Sequence, residues 1–183
     1  MTRIVAGAAR GRRLAVPPAG TRPTADRARE ALFSSLESQL GGLEGLSVID
    51  LYAGSGAVGL EALSRGAVRV LLVESDRRAA DVAKANVRAV GLPGATVLVR
   101  PAERLGLNPD PAYDVLFADP PYDVPTKHLG AVLTGLAAGG WLTKDALVVV
   151  ERSKRDDWEW PEGYAGSRDR KYGEARLWYG HRE

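Results

Sequence analysis

Short apolar runs alternate with helical segments from residue 46 onward, and glycine turns separate the two. Helical segments follow the first, second and fourth runs, and a short helical turn follows the third. This rhythm predicts an α/β fold whose parallel strands are joined by right-handed crossovers. The tail predicts a β-hairpin that completes the sheet edge. The five runs interpreted as buried strands are LSVIDLY, VRVLLVE, ATVLV, YDVLFA and ALVVVE, and the tail is GYAGSRDRKYGEARLWYG.

The N-terminus differs in charge from the rest of this 183-residue chain. Residues 1–36 contain seven arginines against two acidic residues, whereas residues 37–150 are mildly acidic. TRIVAG and RRLAVP are short β-prone runs, which predict a hairpin or a flexible arm. A basic arm points to a polyanionic partner, and a solvated arginine-rich face is the alternative. We therefore divide the chain into a basic arm, 1–18, and one domain, 19–183.

A helix is predicted over ADRAREALFSSLESQL, between the arm and the first buried strand. Thr24 stands where an N-cap is expected, and Gly41 and Gly42 end the segment. Helical spacing places one set of apolar side chains on a common face, which we expect to pack on the sheet. These side chains belong to Ala28, Ala31, Leu32, Leu36 and Leu40.

A glycine-rich loop, Asp50-Leu-Tyr-Ala-Gly-Ser-Gly-Ala-Val-Gly59, follows the first buried strand and opens a helix. Its glycines allow close approach of a ligand, and the helix N-terminus presents N–H groups. Glu74 ends the next strand, where a carboxylate can accept hydrogen bonds from both ribose hydroxyls. Asp50 would repel a pyrophosphate, whereas S-adenosylmethionine carries an ammonium, a sulfonium and no phosphate. The loop alone leaves three interpretations open: a site for S-adenosylmethionine, a site for another nucleotide, or a turn that binds no ligand.

A second motif, Asp119-Pro120-Pro121-Tyr122, follows the fourth strand. In an open parallel sheet, ligands bind beyond the carboxyl ends of the strands at the switch point, which the first and fourth strands should flank. The Asp119 carboxylate and Pro120 carbonyl would hold an exocyclic base amine and favour the positive charge that develops during its methylation. Tyr122 offers a ring for stacking the base. The alternative is that the two prolines only form a rigid end to the strand and have no role in catalysis.

Together these motifs resemble those of class I amino-methyltransferases, and the closer similarity is to bacterial 16S ribosomal RNA guanine-N2 methyltransferases. The resemblance covers nearly the whole chain. It implies a Rossmann-like, seven-stranded, mostly parallel sheet with one antiparallel strand, helices on both faces and an N-terminal β-hairpin that helps hold RNA. The segment Ala8-Ala9 departs from the bulkier residues expected in that hairpin turn. The matching segments are IVAGAARGRRLAVP, TRPTADRAREALFSSL, VIDLYAGSGAVGLEALSRGA, VLLVESDRRA, FADPPYD and KYGEARLWYG.

The resemblance also implies roles for individual residues. The glycine loop should contact the methionine portion of S-adenosylmethionine, Glu74 the ribose, and the turn after the third strand the adenine. The cofactor-binding candidates are Asp50, Gly54, Ser55, Gly56, Glu74, Ala102 and Glu103. The catalytic candidates are Asp119, Pro120, Pro121 and Tyr122. The RNA-binding candidates are Arg10, Arg12, Arg13, Arg22 and Arg27.

Composition excludes several classes of site. The chain has no cysteine, which excludes disulfides, thiolate metal sites and a cysteine nucleophile. The histidines His128 and His181 are far apart in sequence, and no apolar run reaches the length of a membrane span. We therefore expect no metal, no membrane segment and a cytoplasmic location.

The expected partner is small-subunit ribosomal RNA, within an assembled or assembling 30S particle. Deletion of residues 1–16 is expected to abolish activity on this substrate and to leave the cofactor site intact. Three alternatives stay open: a DNA adenine-N6 methyltransferase, an NAD-linked oxidoreductase and a non-catalytic RNA-binding assembly factor.

Overall fold

The computed structural model describes residues 1–18 and 26–183, so Arg22 and the expected N-cap Thr24 lie outside the described residues. A central sheet of seven strands carries helices on both faces, and a two-stranded hairpin precedes it. The hairpin strands are β1 (Thr2–Arg3) and β2 (Arg13–Leu14). The sheet strands are β3 (Ser47–Leu51), β4 (Arg69–Glu74), β5 (Ala95–Val99), β6 (Tyr113–Ala118), β7 (Leu142–Ser153), β8 (Tyr164–Tyr172) and β9 (Ala175–Arg182). The helices are α1 (Asp26–Leu40), α2 (Ala57–Ser64), α3 (Arg77–Val90) and α4 (Thr126–Ala138), with a 3-10 turn at Ala102–Arg104.

The seven strands lie in the order β5-β4-β3-β6-β7-β9-β8. Neighbours from β5 through β7 are parallel, and β9 is antiparallel to both β7 and β8. The predicted class I sheet with one antiparallel strand is therefore confirmed. The chain moves outward from β3 to β5 and then returns to β6, which pairs with β3. The switch point thus lies between β3 and β6, where ligands of such sheets bind.

The central strands of the sheet, β3, β4 and β6, are buried on both faces. One face packs against α1, α2, α3 and the hairpin, with Val48 of β3 pointing toward them. The other face packs against α4 and the 3-10 turn, with Ile49 of β3 pointing that way. Burial of each such aliphatic side chain is worth about 1.5–3 kcal/mol. This two-sided burial explains why the strands are nearly continuous apolar runs.

The buried face of α1 differs from the predicted one. Leu40, expected in the apolar stripe, is 36% exposed in the last turn, and Ala28 and Ala31 are only half-buried. The actual buried face carries four side chains at helical spacing, and one of them is an arginine. Its members are Arg29, Leu32, Phe33 and Leu36. The charge of Arg29 is tolerated there because carboxylates lie beside it.

Strand β7 begins earlier than the sequence predicts. The apolar run ALVVVE forms the middle of β7, residues 142–145 extend the strand toward the N-terminus, and Arg152 and Ser153 extend it at the other end. The register against β6 shifts between Tyr113 and Val115, and Asp145 has a φ of 64°. A bulge with a left-handed residue carries no strong apolar signal, which is why the pattern missed this extension.

The N-terminal hairpin is anchored on α2. The fully buried carboxylate of Glu61 accepts hydrogen bonds from the N–H groups of Val5 and Ala6, at 2.9 and 3.0 Å. The Ser64 hydroxyl accepts from the Ala9 N–H at 2.9 Å and donates to the Ala6 carbonyl at 2.6 Å. Of the two sequence interpretations, a docked hairpin is the one that the structure shows.

Candidate active site

A cavity of ≈ 570 Å³ opens at the carboxyl ends of β3, β4 and β6. Its size suits a single small-molecule ligand. The glycine loop and the Asp119–Tyr122 turn both line it, so the two motifs singled out in the sequence share one site. The described lining residues are Val16, Pro17, Pro18, Arg29, Asp50, Tyr52, Ala53, Gly54, Ser55, Ala57, Val58, Glu74, Ser75, Asp76, Phe117, Asp119, Pro120, Pro121 and Tyr122.

Asp50 fastens the start of α2 to the end of β3. Its Oδ2 atom accepts a hydrogen bond from the Gly59 N–H at 2.9 Å. A Cβ atom on Gly59 would lie 2.3 Å from the Leu72 side chain, so glycine is required for this close approach of helix and sheet. Gly54 differs, because its φ is 55° and the space that a Cβ would enter is empty. The loop is therefore rigid at its base and open toward the cavity at Gly54.

Glu74 connects the glycine loop with the turn after β4. Its Oε2 atom accepts from the Gly54 N–H at 2.8 Å, and its Oε1 atom accepts from the Asp76 N–H at 2.9 Å. Each carboxylate oxygen has two lone pairs, so both oxygens keep acceptor capacity toward the cavity that they line. The ribose-binding role assigned to Glu74 stays a prediction, and this geometry is compatible with it.

The cavity is electrically negative. Burial raises the pKa of Asp50 well above its ordinary value of 3.8, the Gly59 N–H lowers it, and the charges of Asp119 and Glu74 raise it further. Arg29 is the one basic side chain among the described residues of the lining. Four carboxyl side chains, those of Asp50, Glu74, Asp76 and Asp119, against one guanidinium favour a ligand with positive charge.

Arg29 also joins the cavity to the hairpin. Its side chain is 1% exposed, and its Nη2 atom donates to the Thr2 hydroxyl at 3.2 Å and to the Arg3 carbonyl at 2.5 Å. Its Nε atom lies 3.7 Å from the buried carboxylate of Glu61. Sequence reasoning missed Arg29, although its spacing with Leu32 and Leu36 was a signal that could have found it.

The Asp119–Tyr122 turn is held from two sides. The Asp119 N–H donates to the Leu51 carbonyl at 3.4 Å, which ties the turn to β3. From β7, the buried Arg152 donates to the Val124 carbonyl at 2.7 Å. The Tyr122 ring is 39% exposed at the cavity mouth, as a stacking surface requires. Arg152 gave no sequence signal, because its contact spans 28 residues.

Two further parts of the cavity wall were not predicted. Tyr52 lines it with a φ of 64°, a strained value for a residue with a side chain. Burial raises the pKa of Tyr52 to about 12, so its hydroxyl stays protonated. Val16, Pro17 and Pro18, which follow the hairpin, line the cavity as well. Deletion of residues 1–16 would remove Val16 from this wall, and the expectation that the cofactor site stays intact after that deletion stays a prediction.

The structure places the remaining candidates as follows. Gly56 is buried at the start of α2, next to the lining residues. Ala102 is buried and Glu103 is exposed in the 3-10 turn, and neither lines the cavity. Their contact with adenine stays a prediction. The RNA candidates that the structure describes are exposed: Arg10, Arg12 and Arg13 on the hairpin, and Arg27 on α1.

Residues 1–18 and 26–183 contain neither a membrane-spanning helix nor a metal-binding cluster. No helix in these ranges is both long and apolar enough to cross a membrane. The same ranges contain no cluster of three or more His, Asp or Glu side chains with the arrangement of a metal site.

Comparison with known proteins adds independent information. The model of a protein family described as "Conserved hypothetical protein 95" matches residues 2–181. Ribosomal RNA small subunit methyltransferase D of Escherichia coli (strain K12) is 37% identical over 150 residues, which cover 81% of this chain and 73% of that protein. The solved structure of a hypothetical protein from Thermus thermophilus has a TM-score of 0.77 and 36% identity over 98% of both chains.

A more distant structure shows how general the fold is. Magnesium protoporphyrin IX methyltransferase from Synechocystis PCC 6803, with bound S-adenosylmethionine, has a TM-score of 0.65 at 18% identity. The match covers 86% of this chain and 79% of that one, and it shows a shared fold. The family match over nearly the whole chain is more specific. This chain therefore belongs to the conserved hypothetical protein 95 family and is a relative of ribosomal RNA small subunit methyltransferase D, as the sequence resemblance predicted.

Proposed function

We propose that this protein transfers a methyl group from S-adenosylmethionine to the exocyclic N2 amine of a guanine in small-subunit ribosomal RNA. The observation that carries the proposal is the shared cavity, which the glycine loop and the Asp119–Tyr122 turn line together. The glycine loop binds the cofactor, and the Asp119–Tyr122 turn holds the amine. The curated relative's name supports ribosomal RNA as the substrate.

The charge of the cavity supports the cofactor. S-adenosylmethionine supplies an electrophilic methyl group on a sulfonium, and its methionine end carries an ammonium and a carboxylate. Asp50 and Asp119 favour the two cationic centres, while Arg29 and the first-turn N–H groups of α2 suit the carboxylate. Glu74 keeps acceptor capacity for the ribose hydroxyls. A dinucleotide pyrophosphate would face several carboxylates here, which argues against the NAD-linked alternative.

In the reaction, the protein's main task is positioning. The Asp119 carboxylate and the Pro120 carbonyl accept hydrogen bonds from the N2 amine, which orients its nitrogen and favours the positive charge that grows on it. Tyr122 stacks on a guanine that has left its helix or was unpaired. The aminium product is acidic and releases its proton to water, so no general base is needed. Correct in-line placement accounts for most of the rate.

The RNA side of the site is assigned to the hairpin. Arg10, Arg12 and Arg13 are exposed there, and planar guanidinium groups bind phosphate through paired hydrogen bonds. Arg27 extends the same positive charge to the start of α1. We place the reaction on an assembled or assembling small subunit in the bacterial cytoplasm, where such RNA is found.

The test is transfer of a tritiated methyl group from S-adenosylmethionine to three substrates in parallel. These are small ribosomal subunits that lack the modification, protein-free ribosomal RNA and duplex DNA. We expect label on N2 of one guanine of the small-subunit RNA. Label on DNA adenine alone would replace this proposal with the DNA methyltransferase. Tight cofactor binding without label on any substrate would favour the non-catalytic assembly factor.

A further inference from the structure

The side chain of Asn86 joins the N-terminal arm to the glycine loop. It projects from α3 and is 2% exposed. Its Oδ1 atom accepts a hydrogen bond from the Ala15 N–H at 2.8 Å, and its Nδ2 atom donates to the Ala15 carbonyl at 2.9 Å. The same Nδ2 atom donates to the Ser55 carbonyl at 2.9 Å. One buried amide therefore uses both of its N–H donors and one oxygen lone pair on two separate segments.

Both segments held by Asn86 lead into the cavity wall. Ser55 belongs to the glycine loop and lines the cavity itself. Ala15 directly precedes Val16, Pro17 and Pro18, which line another part of it. The polypeptide therefore cannot shift at Ala15 without straining or breaking the bonds that also fix the loop at Ser55.

The N-terminal arm, which Asn86 holds at Ala15, carries exposed arginines. Arg12 and Arg13 precede Ala15 by three and two residues, and both side chains are exposed. The Leu14 side chain between them and Ala15 is fully buried, so the backbone there is fixed to the body of the protein. The arginines are thus separated from the Asn86 contact at Ala15 by one buried residue, Leu14.

We propose that Asn86 is a positioning residue that couples the two substrates, so that RNA held by the arm and cofactor held by the glycine loop strengthen each other's binding. This inference rests on the proposed function. RNA bound to the arginines holds the arm in place. The arm then keeps both hydrogen bonds between Ala15 and Asn86, and Asn86 in turn keeps the Ser55 carbonyl in place. By linkage, the cofactor strengthens RNA binding by the same factor.

The first test compares two variants that loosen the arm at different points. Asn86→Asp keeps the acceptor for the Ala15 N–H and loses both donors, the one to the Ala15 carbonyl and the one to the Ser55 carbonyl. Ser64→Ala removes the arm bonds to Ala6 and Ala9, which do not reach the glycine loop. The measurement is the dissociation constant of S-adenosylhomocysteine with and without small ribosomal subunits that lack the modification, after thermal unfolding has shown that each variant is folded.

Coupling between two sites typically amounts to about 5–150-fold, and we expect the wild-type protein to show at least the lower value. Ser64→Ala should retain the coupling factor even where RNA affinity falls, whereas Asn86→Asp should lose it. Coupling that survives in Asn86→Asp, or that is equally lost in Ser64→Ala, would overturn the role of Asn86. Failure of the wild-type protein to methylate any RNA would instead contradict the proposed function.

A second test needs no variant. Amide hydrogen exchange is followed at Ala15 and Ala9, whose N–H groups are bonded to Asn86 and Ser64 respectively. Saturating S-adenosylhomocysteine should slow exchange at Ala15 more strongly than at Ala9, because only Asn86 also touches the glycine loop. Equal slowing at both amides, or no change at Ala15, would contradict the coupling.

Discussion

The carboxylate of Asp50 lies fully buried at the end of β3 and accepts a hydrogen bond from the Gly59 N–H at 2.9 Å. Burial and the nearby charges of Asp119 and Glu74 raise the pKa of Asp50, against the lowering effect of that N–H. A cationic cofactor favours the ionised form. Its affinity should therefore be highest above the raised pKa and should weaken as the pH falls through it.

Titration calorimetry with S-adenosylmethionine at several pH values measures this dependence. Asp50→Asn keeps an acceptor for Gly59 and removes the charge, so it should bind more weakly and with a flatter pH profile. Asp114→Asn is the control, because that carboxylate bonds the Ser47 N–H near the opposite end of β3. An unchanged profile in Asp50→Asn would remove Asp50 from cofactor binding.

The same raised pKa affects the stability of the cofactor-free protein. Folded Asp50 holds its proton at a pH where the unfolded chain, with an ordinary value near 3.8, has released it. Stability due to Asp50 therefore decreases as the pH rises from 3.8 through the raised pKa. Urea unfolding of wild type and Asp50→Asn across this range should show the difference, and parallel curves would contradict it.

Glu74 should contribute to cofactor affinity through the ribose and through the loop that it holds. Glu74→Ala removes both, and hydrogen bonds that involve a charged group are worth about 1.5–3 kcal/mol. We expect the dissociation constant of S-adenosylmethionine to rise by about tenfold or more, since 1.4 kcal/mol corresponds to a factor of ten. Asp81→Ala, an exposed acid on α3, is the matched control. Wild-type affinity in Glu74→Ala would contradict the ribose assignment.

Asp119 should matter for the chemical step more than for cofactor binding. Removal of one preorganised polar contact typically lowers the rate by about 10²–10³, and we expect this loss in Asp119→Ala under single-turnover conditions. Asp123→Ala changes an exposed carboxylate shortly after the same turn and should keep the wild-type rate. If Asp119→Ala turns over at the wild-type rate, Asp119 has no part in the mechanism.

Glu61 should dominate the stability of the docked arm. Its carboxylate is fully buried between Arg29 and Arg65 and accepts two backbone N–H groups of the arm. Its loss leaves buried arginine charge unpaired, which costs about 3–5 kcal/mol. Urea unfolding of Glu61→Ala measures this cost. Glu37→Ala removes an exposed partner of Arg65 and should cost less than about 1 kcal/mol; equal losses in the two variants would contradict this account.

Gly59 tests the close packing of α2 on the sheet. In Gly59→Ala, the new methyl group would lie 2.3 Å from the Leu72 side chain, so unfolding free energy should fall by about 1–3 kcal/mol. Gly135→Ala is the control on α4, where the added methyl group meets nothing within 4 Å. That change should stabilise the protein slightly, because alanine favours a helix. Thermal or urea unfolding of both variants measures these two changes in unfolding free energy.

The features that the sequence predicted well are those with local causes. Strand β3 and the glycine loop lie within one short window, and the Asp119–Tyr122 turn directly follows β6. Their place in the sheet follows from the switch-point rule. The N-cap Asp76 and the left-handed Gly91 that ends α3 have equally local causes. The fold class and the family were predicted for this reason.

The missed features depend on distant parts of the chain. Arg152 reaches the Val124 carbonyl across a turn and a helix, and Val16 forms cavity wall only because Asn86 and α2 hold the arm. Arg29 is buried because Glu61, 32 residues later, neutralises it. Helical spacing could have placed Arg29 on the buried face of α1, but a pattern in a single window contains none of these distant partners.

Strand β9 is the last strand along the chain, yet it lies between β7 and β8 in the sheet. During synthesis, residues 175–182 are the last part of this sheet to leave the ribosome, and until then β7 and β8 have no common neighbour. Until β9 pairs, the facing edges of β7 and β8 stay open to aggregation, so loss of residues 175–182 would expose two long strand edges.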